Sequence, residues 1–187
     1  PGFGGDLRCT SLGEGLEKYI DAFTDWSYEM TKRHPNVIFE DCAGGGMRTD
    51  YKALSIFHLI STSDQTNYLH YPYITGNIFM SVLPEQAAVW SYPMRVSLEG
   101  KSEEEQNVLR DKAKEEVIYN MINSMLLRIH QSGHLAELSK ERVDLVKEGL
   151  RVYKDIRGDI KNAVPFWPLD LAENEDAKKN LPFKITD

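Results

Sequence analysis

An α/β chain, with parallel strands covered by helices, is the fold class this sequence predicts. Three observations predict it. Short apolar runs (Val37-Ile38-Phe39, His58-Leu59-Ile60-Ser61-Thr62 and Ala87-Ala88-Val89-Trp90) have the look of strands buried in a parallel sheet, and the first two run on into glycine-rich or polar residues. Between them lie stretches whose apolar residues recur at helical spacing. The two patterns alternate along the chain, which calls for a parallel sheet packed against helices.

Taken in order, Ser11 and Glu14 have capping-box spacing, and Leu16, Tyr19, Ile20, Phe23, Ser27 and Met30 follow at helical intervals with Trp26 beside them. His34-Pro35 ends this first helix, because proline disfavours helical angles in the residue before it. Val37-Ile38-Phe39 is the first strand, leading into FEDCAGGGMRTD, residues 39–50. A short helix over 51–57 precedes the second strand, His58 to Thr62, which ends in Ser63-Asp64-Gln65-Thr66-Asn67. Tyr68 to Phe79 reads as helical with weak points at Pro72 and Gly76. Ala87 to Trp90 is the third strand, with Met80 to Leu83 competing for that role. Ser102 and Glu105 form a second capping box, opening a long helix with apolar positions Leu109, Val117, Ile118, Met121, Ile122, Met125, Leu126 and Ile129. Gln131 to Leu138 leaves room for a fourth short strand. Ser139 then caps a last helix with Val143, Val146, Leu150, Tyr153, Ile156 and Ile160 inward. From Pro165-Phe166-Trp167-Pro168 the pattern lapses, so residues 1–164 are expected to form one unit and 165–187 a linker or the start of a further domain.

At 187 residues and 41% hydrophobic content the chain can bury a sizeable core. Its 29 acids against 22 bases give a formal charge of -7, which argues against a nucleic-acid or anionic-membrane partner. No apolar run approaches the roughly eighteen residues of a membrane helix. Cys9 and Cys42 are too few for a disulfide framework, so a reducing, cytoplasmic setting is expected. Pro1-Gly2-Phe3 reads as a cut, in which case any leader would have been removed.

An open doubly wound sheet and a barrel both satisfy the alternation, and both put ligands at the carboxyl ends of strands. Two polar loops fall there. Three glycines after the first strand suit either a tight turn or a close approach to a ligand. They lack the ending of a P-loop and the spacing of a dinucleotide fingerprint. Asp64 suits a proton donor if neighbouring rings screen it from water, and equally suits a helix N-cap. Cys42 has no recognisable base and reads as a pocket-lining side chain. Arg48 could hold a substrate or tie its loop to Asp50 or Glu40. His130 and His134 are four apart, but Gly133 argues against the unbroken helix that a zinc site of this kind requires. Trp90 and Tyr92 suit packing or stacking on a sugar.

The stretch Phe39-Glu40-Asp41-Cys42-Ala43-Gly44-Gly45-Gly46-Met47-Arg48, followed by Ser61-Thr62-Ser63-Asp64-Gln65-Thr66-Asn67, resembles the paired signature of the α-galactosidases (melibiases) of glycoside hydrolase family 36. Leu83 to Pro93 and Ile129 to Leu138 also resemble that family, and the likeness runs from about residue 1 to about 170. The resemblance implies a partial (β/α)8 TIM barrel, roughly its last four strand-helix units, from a retaining enzyme that needs no cofactor and no metal. It implies that Asp64 is the general acid/base and that Cys42, Gly44 and Gly45 meet the sugar hydroxyls, with Arg48 in the same loop. The nucleophile would be the aspartate of a Lys-x-Asp-x-Asn stretch upstream of Pro1, which would leave this piece inactive alone. An α-galactoside is the implied partner. The open edges of a half barrel would favour self-association. Asn67 stands where the family has a second aspartate, and Met47 interrupts the glycine run. A noncatalytic carbohydrate-binding or assembly module and an α-N-acetylgalactosaminidase are the alternatives.

Overall fold

The computed structural model describes residues 9–11, 13–111, 114–168 and 170–171. Its elements run α1 (Glu14–Arg33), β1 (Glu40–Asp41), α2 (Tyr51–Ile56), β2 (Leu59–Ser61), α3 (Tyr71–Asn77), β3 (Ala87–Met94), α4 (Glu103–Asp111), α5 (Lys114–Ser124), β4 (Arg128–Gly133) and α6 (Lys140–Ile160), with 3-10 turns at Ile78–Met80 and Leu135–Glu137. The four strands form one all-parallel sheet in the order β1-β2-β3-β4. Every crossover therefore steps to the next strand in the same direction, with no reversal of the kind a doubly wound sheet has. This is the strand order of a segment of a (β/α) barrel.

The two faces of the sheet differ. Register places Ser61 beside Ala88 and Trp90 beside His130, and side chains two apart share a face. One face thus carries Glu40, Ser61, Trp90 and His130; the other carries Ile60, Val89, Ser91, Ile129 and Gln131. The second face takes the helices. Val89 and Ala87 are fully buried with Tyr71, Val82 and Leu127, while Ile129 packs on the Val117–Met121–Val146 cluster joining α5 to α6. Burying a side chain of this size contributes about 2 kcal/mol. The first face is polar and aromatic, and on it the His130 imidazole comes within 3.9 Å of the Glu40 carboxylate. Those residues sit on the two outermost strands, which a flat sheet would hold about 14 Å apart. The sheet is therefore curled toward that face.

Arg142, only 1% exposed, ties the covering layer to the strand ends. Its guanidinium donates to the Pro93 carbonyl at 3.4 Å and stands 3.8 Å from the Glu116 carboxylate. Burial pushes the Glu116 pKa up and the Arg142 pKa down, each opposed by the other's charge. Next to this clasp, the Asn120 side chain accepts the N–H of Tyr92 at 3.0 Å, so α5 also holds the end of β3.

Several sequence expectations shift. Ladder pairing in the first strand falls on Glu40–Asp41 rather than on Val37-Ile38-Phe39, because the Phe39 carbonyl takes the N–H groups of both His58 and Leu59 and nothing earlier pairs. Val37 and Ile38, just before this edge strand, stay 48% and 61% exposed. Helix α1 begins after Gly13, and Glu14 receives the N–H groups of Thr10 and Ser11, so the capping box is only half made. Its apolar stripe is less covered than expected, with Leu16, Tyr19, Ile20 and Trp26 all exposed. Pro72 lies in the first turn of α3, where its missing N–H is harmless, so it helps begin that helix. The second capping box is complete, with Ser102 and Glu105 bonded reciprocally at 2.9–3.3 Å. The long helix it opens is helical on both sides of residues 112–113, which lie outside the described residues, and it ends at Ser124. Ile129 belongs to β4, which starts earlier than expected, at Arg128. Met80 to Leu83 forms no strand. Ser139 caps α6 as expected, accepting the Arg142 N–H. Of the proposed tail, residues 169 and 172–187 lie outside the described residues, while the Trp167 indole donates to the Gly76 carbonyl at 2.6 Å.

Candidate active site at the carboxyl ends of β1 and β2

The loop after β1 and the loop after β2 are in direct contact, backbone to backbone. Gly44, Gly45 and Gly46 have φ of 58°, 57° and 83°, three successive left-handed residues. At Gly45 a Cβ would lie 2.2 Å from the Asp64 nitrogen and 2.4 Å from the Ser63 carbonyl carbon; at Gly46 it would lie 2.7 Å from the Thr62 oxygen. Both the conformation and the space require glycine at these two positions. At Gly44 the nearest atom is only the flexible Met47 thioether, so the demand there is conformational. The neighbour that needs the bare backbone is thus the Ser63–Asp64 peptide.

The rest of the first loop is tied down locally. Thr49 N–H bonds to the Gly46 carbonyl, and Asp50 caps α2 by accepting the Ala53 N–H at 2.9 Å. Arg48 ties the loop not to Asp50 or Glu40 but to Asp41, at 3.8 Å, and lies over the Phe23 ring at 5.2 Å from its centroid. Asp41 is 5% exposed. Burial pushes its pKa above the ordinary aspartate value, partly offset by the Arg48 charge and by the Cys42 backbone N–H that donates to it. The Cys42 thiol is free and exposed.

The second loop descends through small side-chain turns. Ser63 Oγ accepts the Gln65 N–H, Gln65 Oε1 accepts the Asn67 N–H, and Asn67 Oδ1 accepts the Leu69 N–H, at 2.9–3.1 Å. Asn67 therefore makes a turn contact open equally to an aspartate oxygen. Asp64 is exposed at the rim, without the screening from water that a raised proton affinity would need, and it caps no helix, since α3 begins only at Tyr71. Among the described residues its carboxylate makes no hydrogen bond or ion pair. Its charge reaches Tyr71 and Tyr92, whose phenols are pushed up mainly by burial and further by Asp64.

Trp90, half-buried, donates its indole N–H to Ser61 Oγ at 3.2 Å, stacks on Tyr92 and meets His130 edge-on at 5.1 Å. His130 and His134 lie on a strand and the turn after it and face different carboxylates, Glu40 and Glu137. Glu137 also accepts from Ser97 and Leu98, which anchors the chain following β3. Among the described residues no group of three metal-ligating side chains gathers, and no helix is long and apolar enough to cross a membrane. Sequence reasoning assigned no role to Tyr71, Asp41 or the Glu40–His130 pair. No spacing signalled the pair: Glu40 follows the expected first strand, and His130 falls between the expected helix and the expected fourth strand.

Two measurements check this geometry in the protein that carries the chain. Gly45→Ala is expected to cost roughly 2 kcal/mol or more in unfolding free energy, because it adds both a strained φ and an overlap with backbone; a loss below about 0.5 kcal/mol, the range of neutral surface changes, would contradict the contact. For Asp41, a raised folded-state pKa means that its stabilisation is fully present below the ordinary aspartate value and is lost as pH rises through the raised one. Urea titrations at a series of pH values should show Asp41→Asn becoming relatively more favourable, compared with the unsubstituted protein, across that interval. A pH-independent difference would refute this.

No family model matches the chain. The chain is 32% identical over 62 residues to alpha-galactosidase Mel36A of Lactobacillus acidophilus, a match that covers 33% of this chain and 8% of that relative. Among solved structures, the galactosidase domain of the alpha-galactosidase-sucrose kinase AgaSK superposes with a TM-score of 0.58 and 19% identity, covering 74% of this chain and 18% of that one. The family 36 α-galactosidase AgaB from Geobacillus stearothermophilus gives 0.57 and 21%, covering 79% and 18%. A substituted AgaA from the same organism, with similar values, was solved in complex with raffinose. The chain thus spans under a fifth of each of these relatives. The chain is thus similar in sequence over 62 residues to an alpha-galactosidase, and it shares the fold of part of the solved α-galactosidases of glycoside hydrolase family 36.

Proposed function

We propose that this chain is a segment of a retaining α-galactosidase, the second half of its barrel, in which Asp64 is the general acid/base. One observation supports this most: Gly45 seats directly on the Ser63–Asp64 peptide, which joins the glycine loop and the carboxyl group into one rim at the ends of adjacent strands. A galactose resting on that rim would meet Cys42 and the backbone of Gly44 and Gly45. Arg48, held by Asp41 and Phe23, acts as the loop's support. Trp90 and Tyr92 offer ring faces on the concave side of the sheet.

In the first step Asp64 protonates the leaving glycosidic oxygen while a second carboxylate attacks the anomeric carbon. In the second step Asp64 takes a proton from water, which releases the sugar with its configuration retained. The exposed position of Asp64 suits a leaving group that arrives from and departs to solvent. Retention requires the nucleophile about 5.5 Å away. We place it outside this chain, on the aspartate of a Lys-x-Asp-x-Asn strand. The substrate class is terminal α-galactosides, to which the raffinose of the related AgaA complex belongs. Residues 165–187 then lead from the barrel toward a further domain.

In the full-length protein, Asp64→Asn is expected to lower kcat/KM by about a hundredfold or more for alkyl galactosides and much less for aryl galactosides with acidic leaving groups, since only the former depend on protonation. Equal losses for both would exclude the acid role, and an absence of turnover by the unsubstituted full-length protein would favour a noncatalytic sugar-binding module. The isolated chain, whose two outer strands have no further partner among the described residues, is expected to show no turnover and to self-associate in sedimentation; turnover by it would place the nucleophile within these residues.

A further inference from the structure

Tyr71 opens α3 and is 3% exposed, yet its hydroxyl reaches the site rim. It accepts the Trp90 backbone N–H at 3.2 Å and donates to the Ser63 carbonyl at 3.4 Å. The Ser63–Asp64 peptide is the same one on which Gly45 packs without room for a Cβ. That one peptide is therefore held by two independent contacts, a glycine loop from β1 and a phenol from α3. The phenol also spans the gap to β3 through Trp90. The ring packs with Val82, Ala87, Val89 and Leu127, a volume phenylalanine would fill as well, so packing accounts for the ring and not for the hydroxyl.

We infer that Tyr71 is a positioning residue for Asp64: its hydroxyl fixes the peptide that precedes the acid/base and so aims the carboxyl group. The inference rests on the acid/base reading of Asp64. Asp64 has no hydrogen-bonding partner of its own among the described residues, so the backbone is what sets where its Cα–Cβ bond starts and which positions its carboxyl group can reach. A small rotation of that peptide carries the carboxyl group off the leaving oxygen, and displacements of about 1 Å are costly to proton transfer. Burial keeps the phenol protonated as a donor, and the two ionisable groups that face it, Asp64 and Tyr92, do not oppose this.

The test uses the full-length protein with Tyr71→Phe and Asp64→Asn in parallel. Tyr71→Phe is expected to lower kcat/KM for alkyl galactosides by roughly tenfold, the worth of one misdirected hydrogen-bonded contact. Aryl galactosides with acidic leaving groups should change less than about threefold and galactose affinity should hold, because these do not need a well-aimed proton. Equal losses on both substrate classes, a loss confined to galactose affinity, or no loss would overturn the inference. If Asp64→Asn shows the leaving-group signature and Tyr71→Phe does not, only the positioning role fails; if neither shows it, the acid/base reading fails with it. Should Tyr71→Phe not fold, difluorotyrosine at position 71 keeps the hydroxyl but ionises at lower pH. The leaving-group signature should then emerge as pH rises through that ionisation, and its absence would equally overturn the role.

Discussion

A contact between two stretches of bare backbone is the constraint on which the rim depends. Gly45 and Gly46 lie so close to Thr62, Ser63 and Asp64 that any side chain would overlap main-chain atoms, which cannot move aside as a side chain can. The three left-handed residues from Gly44 to Gly46 follow from that approach. So does the tight local bonding afterwards, in which Gly46 and Asp50 carry the chain into α2. The contact makes one surface out of two loops that belong to different strand-helix units.

Behind the rim, the sheet supplies direction. Its helix-covered face holds the apolar residues, and its other face holds the Glu40–His130 pair and the Trp90–Tyr92 rings. Curling toward the polar face points those side chains at one another. The strand ends are then held from the helix side, by Arg142 on Pro93, by Asn120 on Tyr92 and by Tyr71 on Trp90 and Ser63. Polar groups thus anchor the rim from behind, while the Asp64 carboxyl group at the front makes no hydrogen bond or ion pair among the described residues.

Much of this was legible along the chain. The second and third strands lie where expected, the first forms directly after its expected place, the Ser102–Glu105 and Ser139 caps are made, and the two polar loops do meet at adjacent strand ends. The misreadings have local causes. Ile129 continues a helical spacing by chance, and only pairing with Val89 draws it into a strand. Pro72 reads as a helix breaker because spacing does not reveal that it falls in the first turn. The apolar stripe of α1 implied cover that the described residues do not provide.

The sequence by itself determined what depends on neighbours in the chain: the alternation of strand and helix, the caps, the glycines able to take left-handed angles, and the presence of a carboxyl group at a strand end. Only the tertiary structure decided what depends on residues far apart. It showed that the glycines are needed by a peptide some twenty residues onward, that Arg48 serves the buried Asp41, and that a tyrosine in a helix's first turn holds the main chain before Asp64. Spacing encodes which way a side chain points along its own element. It carries no information about which distant backbone will lie against it, because that is set by how the strands stack and curl.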